Sequence, residues 1–139
     1  MDGIYAYIDE NSERFIDELA TFVRQPSISS QAVGIDDCAR LLTEMMETVG
    51  IRAESLPMGG DTNPPLIYGE LKAPGAEKTL LIYGHYDVQP PEPLEAWDSP
   101  PFEPTIRNGR MYGRGTADNK AQMFAHIKAV EAILRTGQQ

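Results

Sequence analysis

The stretch Thr79-Leu80-Leu81-Ile82-Tyr83-Gly84-His85-Tyr86-Asp87 constrains the architecture more than any other part of the chain. Leu80 to Tyr83 are apolar at successive positions. A strand with one face in water alternates polar and apolar residues, whereas an unbroken run belongs to a strand covered on both faces. The pattern predicts a buried strand over 79–84, whose C-terminal end delivers His85 and Asp87.

Toward the N-terminus, two shorter runs predict strands over 51–56 and 66–71, separated by a long turn over Met58 to Pro65. Before them lie two amphipathic helices. The first starts at Asn11 or Ser12, either of which can cap it, and carries Phe15, Leu19, Phe22 and Val23 on one face. Gln25-Pro26 stops it, because a residue before proline is pushed out of the helical region, and Ser27-Ile28-Ser29-Ser30 is a loop. The second begins near Ile35-Asp36-Asp37, whose acids suit the positive end of the helix dipole. Cys38, Leu41, Leu42, Met45, Met46 and Val49 form its apolar stripe, and Gly50 suits the position just past its end.

Toward the C-terminus, Pro90, Pro91, Pro93, Pro100, Pro101 and Pro104 exclude a helix or a central strand over 89–104. An extended loop is expected there, with Trp97 anchoring it against the sheet. Asn108-Gly109 between Thr105-Ile106-Arg107 and Arg110-Met111-Tyr112 is a strong hairpin signal. A last helix is predicted from Asn119 to Arg135, with Met123, Phe124, Ile127, Val130, Ala132, Ile133 and Leu134 as its apolar members and Gly137 as its stop. Long amphipathic helices beside a doubly covered strand imply a layered α/β domain.

Bulk properties narrow the function classes. The chain has 139 residues, 41% hydrophobic and 24% charged, which fits one ordinary globular domain. Acids outnumber bases 21 to 12, for a net charge of -9. Affinity for phosphate polymers comes from Lys and Arg, so a nucleic-acid partner is not expected. No apolar run is long enough to span a membrane, and Met1 to Phe15 hold no basic n-region of a secretory signal. One cysteine, Cys38, excludes an internal disulfide and a multi-cysteine zinc site, and fits a reducing, cytoplasmic setting. Its place on an apolar stripe reads as a buried hydrophobe rather than a nucleophile.

Two segments can carry chemistry. His85 and Asp87 are two apart in an extended segment, so their side chains leave on the same side. One imidazole nitrogen can then face a metal while the other N–H is fixed by the carboxylate. The competing reading is a surface histidine beside a strand-capping aspartate. Asp118 follows Gly113-Arg114-Gly115-Thr116-Ala117 at the approach to the last helix. Its carboxylate can bridge two cations or serve as an ordinary first-turn acid. Arg114 can bind an anion or pair with an acid, and Lys120, in a first helical turn, is expected to be solvated. His126 lies about 80° around the helix and about 12 Å along it from Asp118, too far to share an ion, so it reads as a packing or surface residue. No Gly-x-Ser-x-Gly elbow occurs.

Taken together, the run Leu81 to Pro90, Trp97 with Pro100-Pro101-Phe102, and the run Gly109 to Lys120 resemble the zinc-dependent exopeptidase and amidohydrolase family of carboxypeptidase G, acetylornithine deacetylase, succinyl-diaminopimelate desuccinylase, aminoacylase and carnosine dipeptidase (metallopeptidase family M20). Gln89-Pro90 and the Trp97 loop look most like the dipeptidase branch. The resemblance implies a layered α/β/α catalytic domain with a mixed sheet and flanking helices, of which residues 1–139 would form the N-terminal part. The rest of that domain and the lid or dimerisation domain are expected elsewhere. It implies that His85 binds one metal of a two-zinc site, that Asp87 is the catalytic acid orienting it, and that Asp118 bridges both metals, with a cis peptide at Asp118-Asn119. Two Zn2+ are implied, with Co2+ or Mn2+ as alternatives.

Such enzymes cleave an amide bond in dipeptides or N-acyl amino acids, and a homodimer is implied for the complete protein. The family's adjacent Glu-Glu pair, which supplies the general base and a ligand, does not occur between residues 1 and 139. Neither does a third histidine. This stretch alone is therefore expected to be inactive. The alternatives are a non-catalytic interaction module keeping part of the fold, and an unrelated α/β hydrolase with chance motifs.

Overall fold

The computed structural model describes residues 1–60 and 63–137. Four helices carry the packing: α1 (Asp2–Glu10), α2 (Ser12–Arg24), α3 (Ile35–Thr48) and α4 (Ala121–Thr136). Two antiparallel hairpins complete it. β1 (Arg52–Leu56) pairs with β2 (Leu66–Glu70), Arg52 opposite Glu70 and Leu56 opposite Leu66. β3 (Thr105–Arg107) pairs with β4 (Arg110–Tyr112). The fold is mixed α/β, as the sequence pattern requires.

Local chemistry accounts for most boundaries. Gln25, extended at ψ 113° before Pro26, ends α2. The end of α3 is a Schellman motif: Ile51 N–H donates to Met46 O (3.0 Å) and Gly50 N–H to Glu47 O (2.9 Å), with Gly50 at φ 97°. Asn108 and Gly109 both have positive φ, as a two-residue hairpin turn needs. The predicted turn over Met58–Pro65 includes Asp61 and Thr62, which lie outside the described residues. The sequence reading missed α1. Asn11, at φ -106° and ψ 9°, interrupts the helix and separates α1 from α2; its side-chain amide donates to Tyr7 O and its oxygen accepts from Arg14.

The core lies between the helices. Phe22 of α2, Ile35, Cys38, Ala39 and Leu42 of α3, and Phe124 and Ile127 of α4 are buried together with Val49, Ile51 and Tyr86. Phe15, Leu19, Met45, Met46 and Met123 pack at its margin. Cys38 is free and buried, as its position on the stripe suggested.

Two expectations need correction. Residues 79–84 form no strand: they pair with no other strand among the described residues, and Leu80 and Leu81 are 83% and 88% exposed. An apolar run encodes a buried strand only where neighbours supply hydrogen bonds and cover, and here only residues 86–88 reach the core. Trp97 anchors its own proline-rich loop rather than a sheet, donating from its indole N–H to Pro91 O (2.7 Å).

Candidate metal centre

Segment 85–88 is held in place by the loop between α2 and α3. Val88 N–H donates to Ser27 O (2.8 Å), and the buried Ser27 hydroxyl donates to Tyr86 O (2.7 Å). Ile28 bridges both Val33 and Val88. Burial pushes the Tyr86 hydroxyl pKa up to about 12, and this hydroxyl donates to Pro65 O (2.8 Å). The other half of the site arrives from the turn before α4. Residues Thr116–Lys120 make one wide turn, closed by Lys120 N–H donating to Gly115 O (3.1 Å). Asp118 is extended within it (φ -155°, ψ 96°), so its side chain departs from the helical path. The Asp118-Asn119 peptide is cis.

Two glycines let the halves meet. A Cβ on Gly84 would stand 2.8 Å from both Asn119 Oδ1 and Met123 Cγ. A Cβ on Gly115, at φ 86°, would stand 2.4 Å from Val88 Cγ1. Both distances are below van der Waals contact, so close approach of the two segments requires the missing side chains.

The three predicted site residues are neighbours. His85 Nε2 lies 3.0 Å from Asp118 Oδ1, and His85 Nδ1 lies 3.1 Å from both the carboxylate Oδ1 and the carbonyl oxygen of Asp87. The backbone N–H of His85 donates to Asn119 Oδ1 (3.2 Å). Asp87 Oδ2 accepts from the Ser29 hydroxyl at 2.6 Å. Asn119 and Ser29 were not anticipated; neither spacing nor periodicity marks them.

Both imidazole nitrogens therefore face acceptors. A neutral imidazole has one N–H, and the carbonyl and carboxylate oxygens of Asp87 together claim it for Nδ1. The lone pair of Nε2 then opposes a carboxylate oxygen, so a second proton or a cation has to sit between them. Burial lowers the His85 pKa, but the Asp87 carbonyl and the Asp118 carboxylate outweigh it and raise the value above normal. Two donors of a tetrahedral zinc, each ~2.0–2.1 Å from it, stand roughly 3.3 Å apart, close to the 3.0 Å found here. Catalytic zinc takes three protein ligands. Among the described residues no cluster of three or more His, Cys, Asp or Glu is gathered to hold an ion. The residues thus fit part of a metal site.

Other expectations divide. His126 is exposed, on the surface side of the two readings offered for it. Lys120, expected in solvent, is 0% exposed: its ammonium donates to Phe22 O (2.9 Å) and Gln25 O (2.6 Å), the last carbonyls of α2. The orphan carbonyls at a helix end need donors, and Lys120 supplies them across 98 residues of chain. Arg114 pairs with no acid among the described residues; its guanidinium lies 5.9 Å from the Trp97 ring centroid.

Residues 81–139 match the model of peptidase family M20/M25/M40. This segment belongs to that family. The chain is 38% identical over 119 residues to the succinyl-diaminopimelate desuccinylase of Bordetella pertussis, a match covering 86% of this chain and 29% of that protein. It superposes on an M20 family metallo-carboxypeptidase, Sso-CP2, from Sulfolobus solfataricus with a TM-score of 0.83 and 40% identity, covering 88% of this chain and 28% of the other. On human carnosine dipeptidase 1 the TM-score is 0.91 and the identity 30%, over 99% of this chain and 32% of the other. The chain thus spans about a third of the length of these relatives. Among its described residues no helix is long and apolar enough to cross a membrane.

Proposed function

We propose that this chain contributes His85, Asp87 and Asp118 to a two-metal centre that hydrolyses an amide bond in dipeptides or N-acyl amino acids. The observation that carries the reading is the acceptor-to-acceptor contact of His85 Nε2 and Asp118 Oδ1, 3.0 Å apart. The family match and the relatives named as desuccinylase, carboxypeptidase and dipeptidase support the reaction class.

Each residue has a distinct task. Asp87 holds the proton of His85 on Nδ1 and leaves the Nε2 lone pair free to ligate. Asp118 offers two carboxylate oxygens and so can bridge two ions. Two bound zinc ions, or Co2+ or Mn2+ in their place, would supply a polarised carbonyl and a water acidic enough to attack near neutral pH. The general base and a further ligand would come from the adjacent Glu-Glu pair that the resemblance implies outside these residues. Residues 1–139 are then the N-terminal part of a catalytic domain and inactive alone. A homodimer in the cytoplasm belongs to the same reading; the free, buried Cys38 is compatible with a reducing compartment.

A second reading, a non-catalytic interaction module, is favoured by the lack of a three-donor cluster among the described residues. One experiment separates the two. The full-length protein is loaded with Zn2+ and offered dipeptides and N-acyl amino acids, beside Asp118→Ala. Metal-dependent turnover abolished in the variant supports the enzyme; stoichiometric zinc and full turnover in the variant would falsify the assignment of Asp118.

A further inference from the structure

The loop Ser27-Ile28-Ser29-Ser30 presents three hydroxyls in four residues, and they have three different fates. Ser27 is buried and donates to the backbone of Tyr86 (2.7 Å). Ser30 is exposed. Ser29 alone reaches a side chain of the site, donating to Asp87 Oδ2 at 2.6 Å. We infer that Ser29 is a positioning residue: it locks the Asp87 carboxylate and, through it, the ring of His85. The inference rests on the metal-centre reading given above.

The geometry makes the relay directional. Asp87 divides its oxygens, Oδ2 to Ser29 (2.6 Å) and Oδ1 to His85 Nδ1 (3.1 Å). The carboxylate side chain is 37% exposed, so water competes for both oxygens, and rotation about its last bond would exchange them. One short hydrogen bond from a fixed donor removes that freedom. The donor is fixed because its loop is closed on itself and on the site. Ile28 N–H donates to Val33 O (2.9 Å), Val33 N–H to Ile28 O (3.1 Å) and Ala32 N–H to Ser29 O (3.2 Å). Val88 N–H donates to Ser27 O (2.8 Å). The backbone on both sides of Ser29 is thereby registered against the residue that follows Asp87. Groups that orient a ligating histidine through a carboxylate tune metal affinity without touching the ion.

The test uses the full-length protein and Co2+ alone as the probe, with the dissociation constant read from visible absorption and folding from the urea midpoint. Ser29→Ala is expected to weaken Co2+ binding by about 10–100-fold. Ser29→Thr, which keeps the hydroxyl, is expected to recover most of that loss, and Ser30→Ala to change nothing. The decisive readout is a double-mutant cycle with Asp87→Ala. If Ser29 acts through Asp87, adding Ser29→Ala to that background changes affinity by less than about twofold.

Losses that multiply would mean that Ser29 acts by loop packing alone, and would overturn the inference, as would a Ser29→Ala affinity equal to that of the parent. If Ser29→Ala fails to fold, Ser29→Cys, isosteric with a weak donor, is read by the same criteria. His85→Ala and Asp118→Ala with parental Co2+ affinity would instead refute the metal centre itself, a separate result that removes the ground beneath Ser29 as well.

Discussion

Two clusters of charged side chains meet in this molecule, and they are built on opposite plans. At the junction of α1, α2 and α4, Glu131 accepts from Tyr7 (2.8 Å) and Arg14 (2.6 Å) on one oxygen and from Lys128 (2.7 Å) on the other. Lys128 and Arg14 also pair with Glu18, and the Lys128 ammonium lies over Phe15 and Phe124. Donors match acceptors, and Glu131 and Lys128 are buried. At the His85 centre, acceptors face one another and the Asp118 side chain is 71% exposed. The difference separates a satisfied ion network from a candidate binding site. A satisfied cluster has no valence to offer; one with two opposed acceptors and open access lacks a cation or a proton.

Removing a group from each cluster sharpens that contrast. If the proposed function holds, the largest effect is expected from Asp118→Ala in the full-length protein. Turnover of a dipeptide should fall by more than ~10²-fold, with loss of bound metal by elemental analysis, while the urea midpoint stays near that of the parent. The reverse pattern is expected at the other cluster. Glu131→Ala strands Lys128 and Arg14 without their buried partner and should cost about 3–5 kcal/mol of unfolding free energy in urea, with metal affinity unchanged in the molecules that remain folded. If both variants lost metal and stability together, the two clusters would not be separate devices.

Lys120→Met comes next. It leaves the Phe22 and Gln25 carbonyls without donors, at a cost of roughly 1–3 kcal/mol by chemical denaturation.

Acid titration offers a finer test. Burial alone would raise the Glu131 pKa, but hydrogen bonds from Arg14, Lys128 and Tyr7 outweigh it and hold the value at about 2, below the usual 4.5. A carboxyl depressed in the folded state contributes stability that is complete above its unfolded value and drains away as pH falls toward its folded value. The unfolding free energy should therefore drop between about pH 4.5 and 2, by on the order of 3 kcal/mol, and this slope should flatten in Glu131→Gln. The smallest effect is expected at Leu81→Lys. Leu81 is 88% exposed in this chain, so the stability of the isolated 139-residue protein should shift by no more than about 0.5 kcal/mol in urea.

Much of this was legible in the residues alone. Helices α2, α3 and α4, strands β1 and β2, the β3–β4 hairpin and the proline-rich loop follow from periodicity, from Gln25-Pro26, Gly50 and Gly137 as stops, and from Asn108-Gly109 as a turn. These are local signals, carried by backbone preferences within a few residues. His85, Asp87 and Asp118 were legible as candidates, because their residue types and surrounding glycines form two short motifs, and the structure brings the three together.

What stayed hidden depends on partners distant in the chain. No local pattern tells that Lys120 reaches back to the end of α2, that Ser29 meets Asp87, or that Glu131 gathers Tyr7 and Arg14. The apolar run 79–84 shows the converse. Its composition specifies a strand, yet a strand exists only through its neighbours, and none among the described residues pairs with it. Sequence by itself determined most local elements and the residue types of the candidate site, because propensity and side-chain type reside in single residues and their near neighbours. Only the tertiary structure decided which charges are satisfied and which stand opposed, because hydrogen bonding and desolvation belong to pairs of groups that the chain brings together from far apart.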